Sequence, residues 1–316
     1  MGILKARFYW LEDNMESIGD IPLRTVKRRK KISKEEFIIN AVIYFLLALF
    51  AVVILFPIIS TLLYSLNEPL EAGYYGVSLI PRHWSLENYA DLFKEYVGFR
   101  RGVLTTLART LIGTVCALAS NALLSFILSR KKFLFRSGLS LFWVITMYAQ
   151  GGFVPTYLLY KYLCLHESFW VYIIPNLVGV MYVLVMRTYM KNIPDSLEEA
   201  AQLEGAGYLR IFWSVISPVC KPVYAATALF IATYHWNSVF DVLIYNRFKP
   251  EYTTLQFELW KYFSELTTYM GTSSRSPTPQ PVKAAASLLT MLPMLILYPF
   301  LQKYFVTGLS FSGVKD

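Results

Sequence analysis

Six stretches of this chain are too long and too apolar for an ordinary soluble core. They run over about Ile39–Leu66, Val103–Leu128, Leu139–Tyr160, Trp170–Tyr189, Val219–Tyr245 and Ala284–Tyr304. Hydrocarbon offers no water to backbone N–H and C=O groups, so each stretch must satisfy its own hydrogen bonds as a helix. The weakly alternating ten-residue segments of a membrane β-barrel are not seen in the sequence. The first stretch holds 28 residues. At 1.5 Å per residue it reaches roughly 42 Å, beyond a hydrocarbon core of about 30 Å, so it must tilt or project. With 55% hydrophobic and 16% charged residues in 316, the predicted fold class is an all-α polytopic membrane protein with six transmembrane helices. No small-residue cleavage site follows an early apolar core, so the first span reads as an uncleaved anchor.

The net charge of +9 invites a nucleic-acid reading, but the cations are placed by topology instead. Arg24, Lys27, Arg28, Arg29, Lys30, Lys31 and Lys34 precede the first span. Arg130, Lys131, Lys132 and Arg136 fill the second-to-third connection, and Arg187, Lys191, Arg210 and Lys221 flank the fourth-to-fifth. With six spans all three clusters share one side. The positive-inside rule then puts both termini and the fourth-to-fifth connection in the cytoplasm. The first cluster reads as a topology anchor, or as a contact for a partner or acidic lipid. Residues 1–37 form a basic N-terminal segment ahead of a membrane domain over 38–316. The other side carries two longer loops, Asn67–Arg101 and Asn246–Lys283, the second with a polar tip at Ser273–Pro279.

Cys116, Cys164 and Cys220 have neither metal spacing nor a disulfide pattern, and read as packing residues. His83, His166 and His235 form no helical metal pair. No repeat relates the two halves, which gives no support to an inverted-repeat transporter.

The charged stretch Asp195–Pro222 is unlike the rest of the chain. Ser196-Leu197-Glu198-Glu199 fits a capping box, with Ser196 at the cap and Glu199 reaching back. Asp195, Glu198 and Glu199 complement the positive end of the helix dipole. Leu197, Ala200, Ala201 and Glu204 share a face, where the alanines admit a close neighbour. Gly205 and Gly207 permit a left-handed turn, and Pro218 and Pro222 kink the start of the fifth span. So short a polar helix is marginal alone. It reads either as a helix that docks in a groove of another protein or as an interfacial connector.

The run Glu199-Ala200-Ala201-x-x-x-Gly205, followed by Val215-x-x-Pro218, resembles the EAA loop of ABC-transporter permeases. Val215 and Ser217 stand where that family more often has Ile and Leu. Leu79-Ile80-Pro81, Asn88-Tyr89, Trp236-Asn237 and the tail Gln302–Gly308 are similar to the maltose-type, carbohydrate-uptake branch, especially importers of larger oligosaccharides. The resemblance runs from Ile38 to the C-terminus. It implies a type I ABC importer permease in a bacterial plasma membrane. The EAA-like loop at 194–222 would hold a cytoplasmic coupling helix, with Glu199, Ala200, Ala201, Gly205 and Pro218 coupling to the ATPase. The implied partners are a second permease subunit as a heterodimer, two ATPase subunits docking at 195–207, an extracytoplasmic solute-binding protein and an oligosaccharide. The chain has no G-x-x-x-x-G-K-[ST] run to cradle phosphates. No cofactor is expected in it, and the partner ATPase would bind ATP and magnesium.

For the substrate path, Trp236, Asn237, Phe240, Asp241 and Tyr245 share one broad face at helical spacing. Aromatic rings stack on sugar faces, and Asn and Asp bond hydroxyls. The same aromatics also suit a membrane-interface belt. Asp241 needs a cavity, a partner or outer water, and Arg109 in the second span is a candidate partner. The rival readings are a permease for a polyol or peptide, a membrane enzyme using Glu198, Glu199 and Glu204, and a scaffold that docks a cytosolic protein.

Overall fold

The structure, a computed structural model, describes residues 34–68, 81, 83–95, 97–149, 151–269 and 280–310. The basic run Arg24–Lys31, Leu79-Ile80 and the tip Ser273–Pro279 lie outside the described residues. The chain forms two units, residues 1–58 and 59–316.

In the first unit, the described chain is the greater part of helix α1 (Lys34–Ser65). Its apolar residues are exposed all round, from Phe37 to Phe56. A helix apolar on every side buries its surface against something other than water.

The second unit is built around α3 (Val97–Ser129), preceded by the short α2 (Glu87–Glu95). Asn88 donates to the carbonyls of Ser65 and Asn67, at 2.8 and 2.7 Å, which satisfies the orphan carbonyls where α1 ends. α4 (Arg136–Tyr148) and α5 (Phe153–Tyr162) follow. Then come two 3₁₀ turns, Phe169–Tyr172 and Ile174–Asn176, and α6 (Val180–Lys191). Next are α7 (Asp195–Leu203), α8 (Tyr208–Ile211), a π-turn over Phe212–Ile216, α9 (Ser217–Val219) and α10 (Lys221–Asn237). α11 (Leu255–Tyr269) and α12 (Gln280–Ser310) complete the unit. The one β feature among the described residues is an isolated bridge, Asn67 with Trp84.

Among the described residues, three helical segments are long and apolar enough to cross a membrane by themselves: Lys34–Ser65, Val97–Ser129 and Pro281–Pro299. Two bent pairs reach that length together. Phe169–Asn176 with Val180–Lys191 bends by 43°, and Tyr208–Val219 with Lys221–Asn237 by 84°. The six expected spans are thus corrected in three places. The third is not one helix: α4 stops at Tyr148, and α5 starts after Gly152, which stands at φ +84°. The fourth begins as 3₁₀ turns around Pro175, which lacks the N–H an α-helix would use. The fifth turns sharply at Cys220, between Pro218 and Pro222, and ends at Asn237, with Ser238 in extended conformation. The longer loop Asn246–Lys283 contains α11, which packs on α3.

A polar stripe stitches α3 to its neighbours. Asn121 donates to the Leu177 carbonyl at 3.1 Å and accepts from the Gly179 N–H at 2.9 Å, so it satisfies backbone freed by the 43° bend. Ser125 donates to the Val183 carbonyl at 3.0 Å, and Thr106 accepts from the Leu255 N–H at 2.8 Å. At Gly113 the His235 ring lies so close that a Cβ would meet Nε2 at 2.5 Å. Small and hydrogen-bonding residues of this kind hold helices together where no hydrophobic force acts between them.

Candidate functional site

The segment between α6 and α10 starts at Pro194, whose extended conformation (φ −57°, ψ 134°) sets the chain off into α7. The expected capping box does not form: Pro194 is the cap residue, and no side chain caps the helix. Tertiary contacts claim the acidic side chains instead. Glu198 is buried and ion-paired with Arg130, the residue that follows α3. Gln202 donates to the other Glu198 oxygen at 3.0 Å. Lys132 donates to Gln202 Oε1 at 2.9 Å, and Lys131 pairs with Asp195 at 2.5 Å on the surface. The Lys131 hydrogen bond, and then its charge, hold the Asp195 carboxyl below the usual range. Ala201 packs against the apolar cluster of Met186, Met190, Ile211 and Ile216.

The opposite face of α7 is open. Glu199, Ala200 and Glu204 are exposed, and Leu203 is 90% exposed. Gly205 ends the helix at φ +80°. Its N–H donates to the Gln202 carbonyl at 3.0 Å, and the Ala206 N–H donates to the Ala201 carbonyl at 2.9 Å. That pair of bonds makes a Schellman cap, whose left-handed residue needs glycine. Gly207, at φ −73°, does not share this conformation. Pro218 is exposed and lines a groove of about 410 Å³ with Trp213, Lys221 and Tyr224. The five residues expected to couple therefore lie along one connected segment, with Glu199, Ala200 and Gly205 outermost. Sequence reasoning did not find Glu198 and Arg130, because their contact spans 68 positions.

The five residues of the expected substrate path are separated by the end of α10. Trp236 is buried among Leu92, Phe99, Leu255 and Val282, and its indole N–H donates to the Thr290 carbonyl at 2.8 Å. Tyr245 is buried and stacks on Tyr157. Asn237 and Phe240 are exposed. Asp241 is bound by Arg109, which is fully buried and donates to both carboxylate oxygens. Arg109 also donates to His235 Nδ1 at 3.5 Å and lies over the Tyr172 ring at 4.4 Å. Asp241 in turn accepts from the Val242 N–H at 2.9 Å and so caps the π-turn Val242–Asn246. The shared helical face is replaced by two packed aromatics, an ion pair and two exposed residues.

A multi-pass helical membrane protein, with a polar, half-exposed helix lying between two bent helix pairs, is thus defined. No family model matches the sequence. The polygalacturonan/rhamnogalacturonan transport system permease protein YtcP of Bacillus subtilis is 30% identical over 281 residues, covering 87% of this chain and 98% of that protein. The galactooligosaccharides transport system permease protein GanQ of the same organism is 29% identical over 280 residues, 86% of this chain and 94% of that protein. Among solved structures, a bacterial ABC transporter involved in the import of the acidic polysaccharide alginate has a chain that superposes with a TM-score of 0.77 at 26% identity. That match covers 86% of this chain and 98% of the other. The chain belongs to the permease subunits of carbohydrate ABC transporters.

Proposed function

We propose that this chain is one of two permease subunits in an ATP-driven importer that carries an oligosaccharide across a bacterial plasma membrane. Six spans are assigned to it, with α4 and α5 as the two parts of the third. Both termini and α7 lie in the cytoplasm, where the Lys and Arg clusters collect. Residues 1–37 precede a single permease domain over 38–316.

The observation that carries this reading is the pose of α7. Its inner face is held by the protein's own cations, while Glu199 and Leu203 stand exposed on a charged segment. A large apolar side chain exposed beside an acidic one supports a docking surface over a solvated helix. The partner assigned to it is the ATPase subunit, two copies of which bind ATP and magnesium and drive the cycle. Pro218 and the sharp turn at Cys220 connect α7 to α10, so movement of one displaces the other. A solute-binding protein delivers the saccharide from outside. Of the substrate-path residues, Asn237 and Phe240 reach a surface where a sugar could touch them, whereas Trp236, Asp241 and Tyr245 shape that surface from behind.

The test is uptake. The intact transporter, reconstituted with its co-purifying subunits in vesicles, should take up a labelled oligosaccharide from a panel of neutral and acidic chains only when ATP is inside with the ATPase. A polyol or a peptide accumulated in place of every saccharide would overturn the substrate class. ATP-independent accumulation would overturn the mechanism.

A further inference from the structure

We propose that Arg130 is a positioning residue that ties α7 to α3, so that α3 moves as a strut with the ATPase-facing helix. The inference rests on the reading of α7 as the ATPase contact.

Arg130 is the first residue after α3, and its guanidinium meets three elements at once. Nη1 donates to Glu198 Oε2 on α7, Nη2 to the Met190 carbonyl of α6 at 3.2 Å, and Nε to Ser129 Oγ of α3 at 3.0 Å. The plane also lies over the Phe126 ring at 5.1 Å. Both partners are about nine-tenths buried, so the pair is little screened by water. A planar fork with donors in fixed directions makes such a three-way junction, which the point charge of a lysine cannot.

The other end of the strut is tied as well. Arg109, on α3, lies 21 residues before Arg130 and roughly 30 Å away along the helix axis. It grips Asp241, which caps the turn after α10. No proline interrupts α3. A displacement of α7 therefore has two routes to the far side of the unit. One is covalent, through α8, α9 and α10. The second runs through Glu198, Arg130, the length of α3, Arg109 and Asp241. Glu198 and Glu199 thereby divide the work: Glu198 is bound within the chain, and Glu199 faces outward.

The experiment uses the complete transporter with its ATPase subunits. Arg130→Gln and Glu198→Gln are compared with wild type for ATPase retained in the purified complex, ATP hydrolysed and saccharide imported. Each variant should keep the ATPase and its hydrolysis, while saccharide imported per ATP falls about tenfold or more. A covalent tie should restore coupling: Lys131→Cys with Asp195→Cys, joined by a short bis-maleimide in the Arg130→Gln background, should recover at least about half of the lost ratio. If Arg130→Gln fails to accumulate in the membrane, Arg130→Lys carries the same test, with a loss of about threefold. A wild-type ratio of import to hydrolysis in the Gln or Lys variant would overturn the proposal, as would a cross-link that restores nothing. ATPase lost from the complex would instead place Arg130 in docking. That failure is separable from the docking reading itself, which Glu199→Lys tests.

Discussion

Arg109→Leu is expected to remove most of the protein from the membrane, and Asp241→Leu to do nearly the same. The reason is the cost of half an ion pair. Arg109 is fully buried, and Asp241 is only slightly exposed. Removing one partner of a buried pair strands the other charge, at a cost of about 3–5 kcal/mol. The complete pair, by contrast, contributes little beyond the desolvation it compensates. The double variant Arg109→Leu/Asp241→Asn should therefore accumulate better than Arg109→Leu alone. Its asparagine oxygen can still accept from the Val242 N–H that Asp241 now caps. Membrane abundance by immunoblot and thermal inactivation in detergent read both effects. Strictly additive losses in the double variant would show that the two side chains do not act as a unit.

Gly205→Pro is expected to abolish transport while leaving the protein in the membrane. Gly205 holds φ at +80°, and proline holds it near −65°. The substitution also removes the N–H that donates to Gln202. The cap on α7 is lost, and with it the direction in which α8 leaves. Nothing lies within 4 Å of a Cβ at this position, so any change comes from the backbone and not from crowding. Uptake should fall about a hundredfold or to background. Gly205→Asn, which tolerates the left-handed region, should keep much of it. Normal uptake by the proline variant would remove the turn from the coupling mechanism.

The class of fold was legible in the sequence wherever hydrophobicity ran unbroken. α1, α3 and the apolar part of α12 fall where the first, second and sixth spans were expected. The interrupted spans were less legible, because an apolar average does not register a change of direction. An apolar average hides the stop of α4 at Tyr148 and the restart of α5 after Gly152, whose positive φ glycine adopts freely. The kink at Pro218 and Pro222 could be read, but the end of α10 at Asn237 could not. Just past that end, Arg109 of α3 binds Asp241, a contact across 132 positions that local pattern does not determine.

At the α7 segment, local chemistry misled where tertiary partners won. Ser196 and Glu199 have capping-box spacing, but Glu198 is drawn inward by Arg130 and turns the helix so that Glu199 faces out. Arg130, Lys131 and Lys132 read as topology markers, and in the structure they also grip α7. Trp236 illustrates the same limit. Its type suits a sugar, and its actual partners are the Thr290 carbonyl and a packed apolar cluster. The Gly205 turn was readable, since it depends only on the residue's own backbone freedom.

The direct test of α7 as the ATPase contact is the composition of the complex purified through a tag on this chain. Wild type should bring the ATPase subunits with it. Glu199→Lys, at comparable membrane abundance, should retain less than about a tenth of them, because a like charge placed at a basic docking site costs several kcal/mol. An ATPase content unchanged by Glu199→Lys, or no ATPase with wild type, would contradict the assignment.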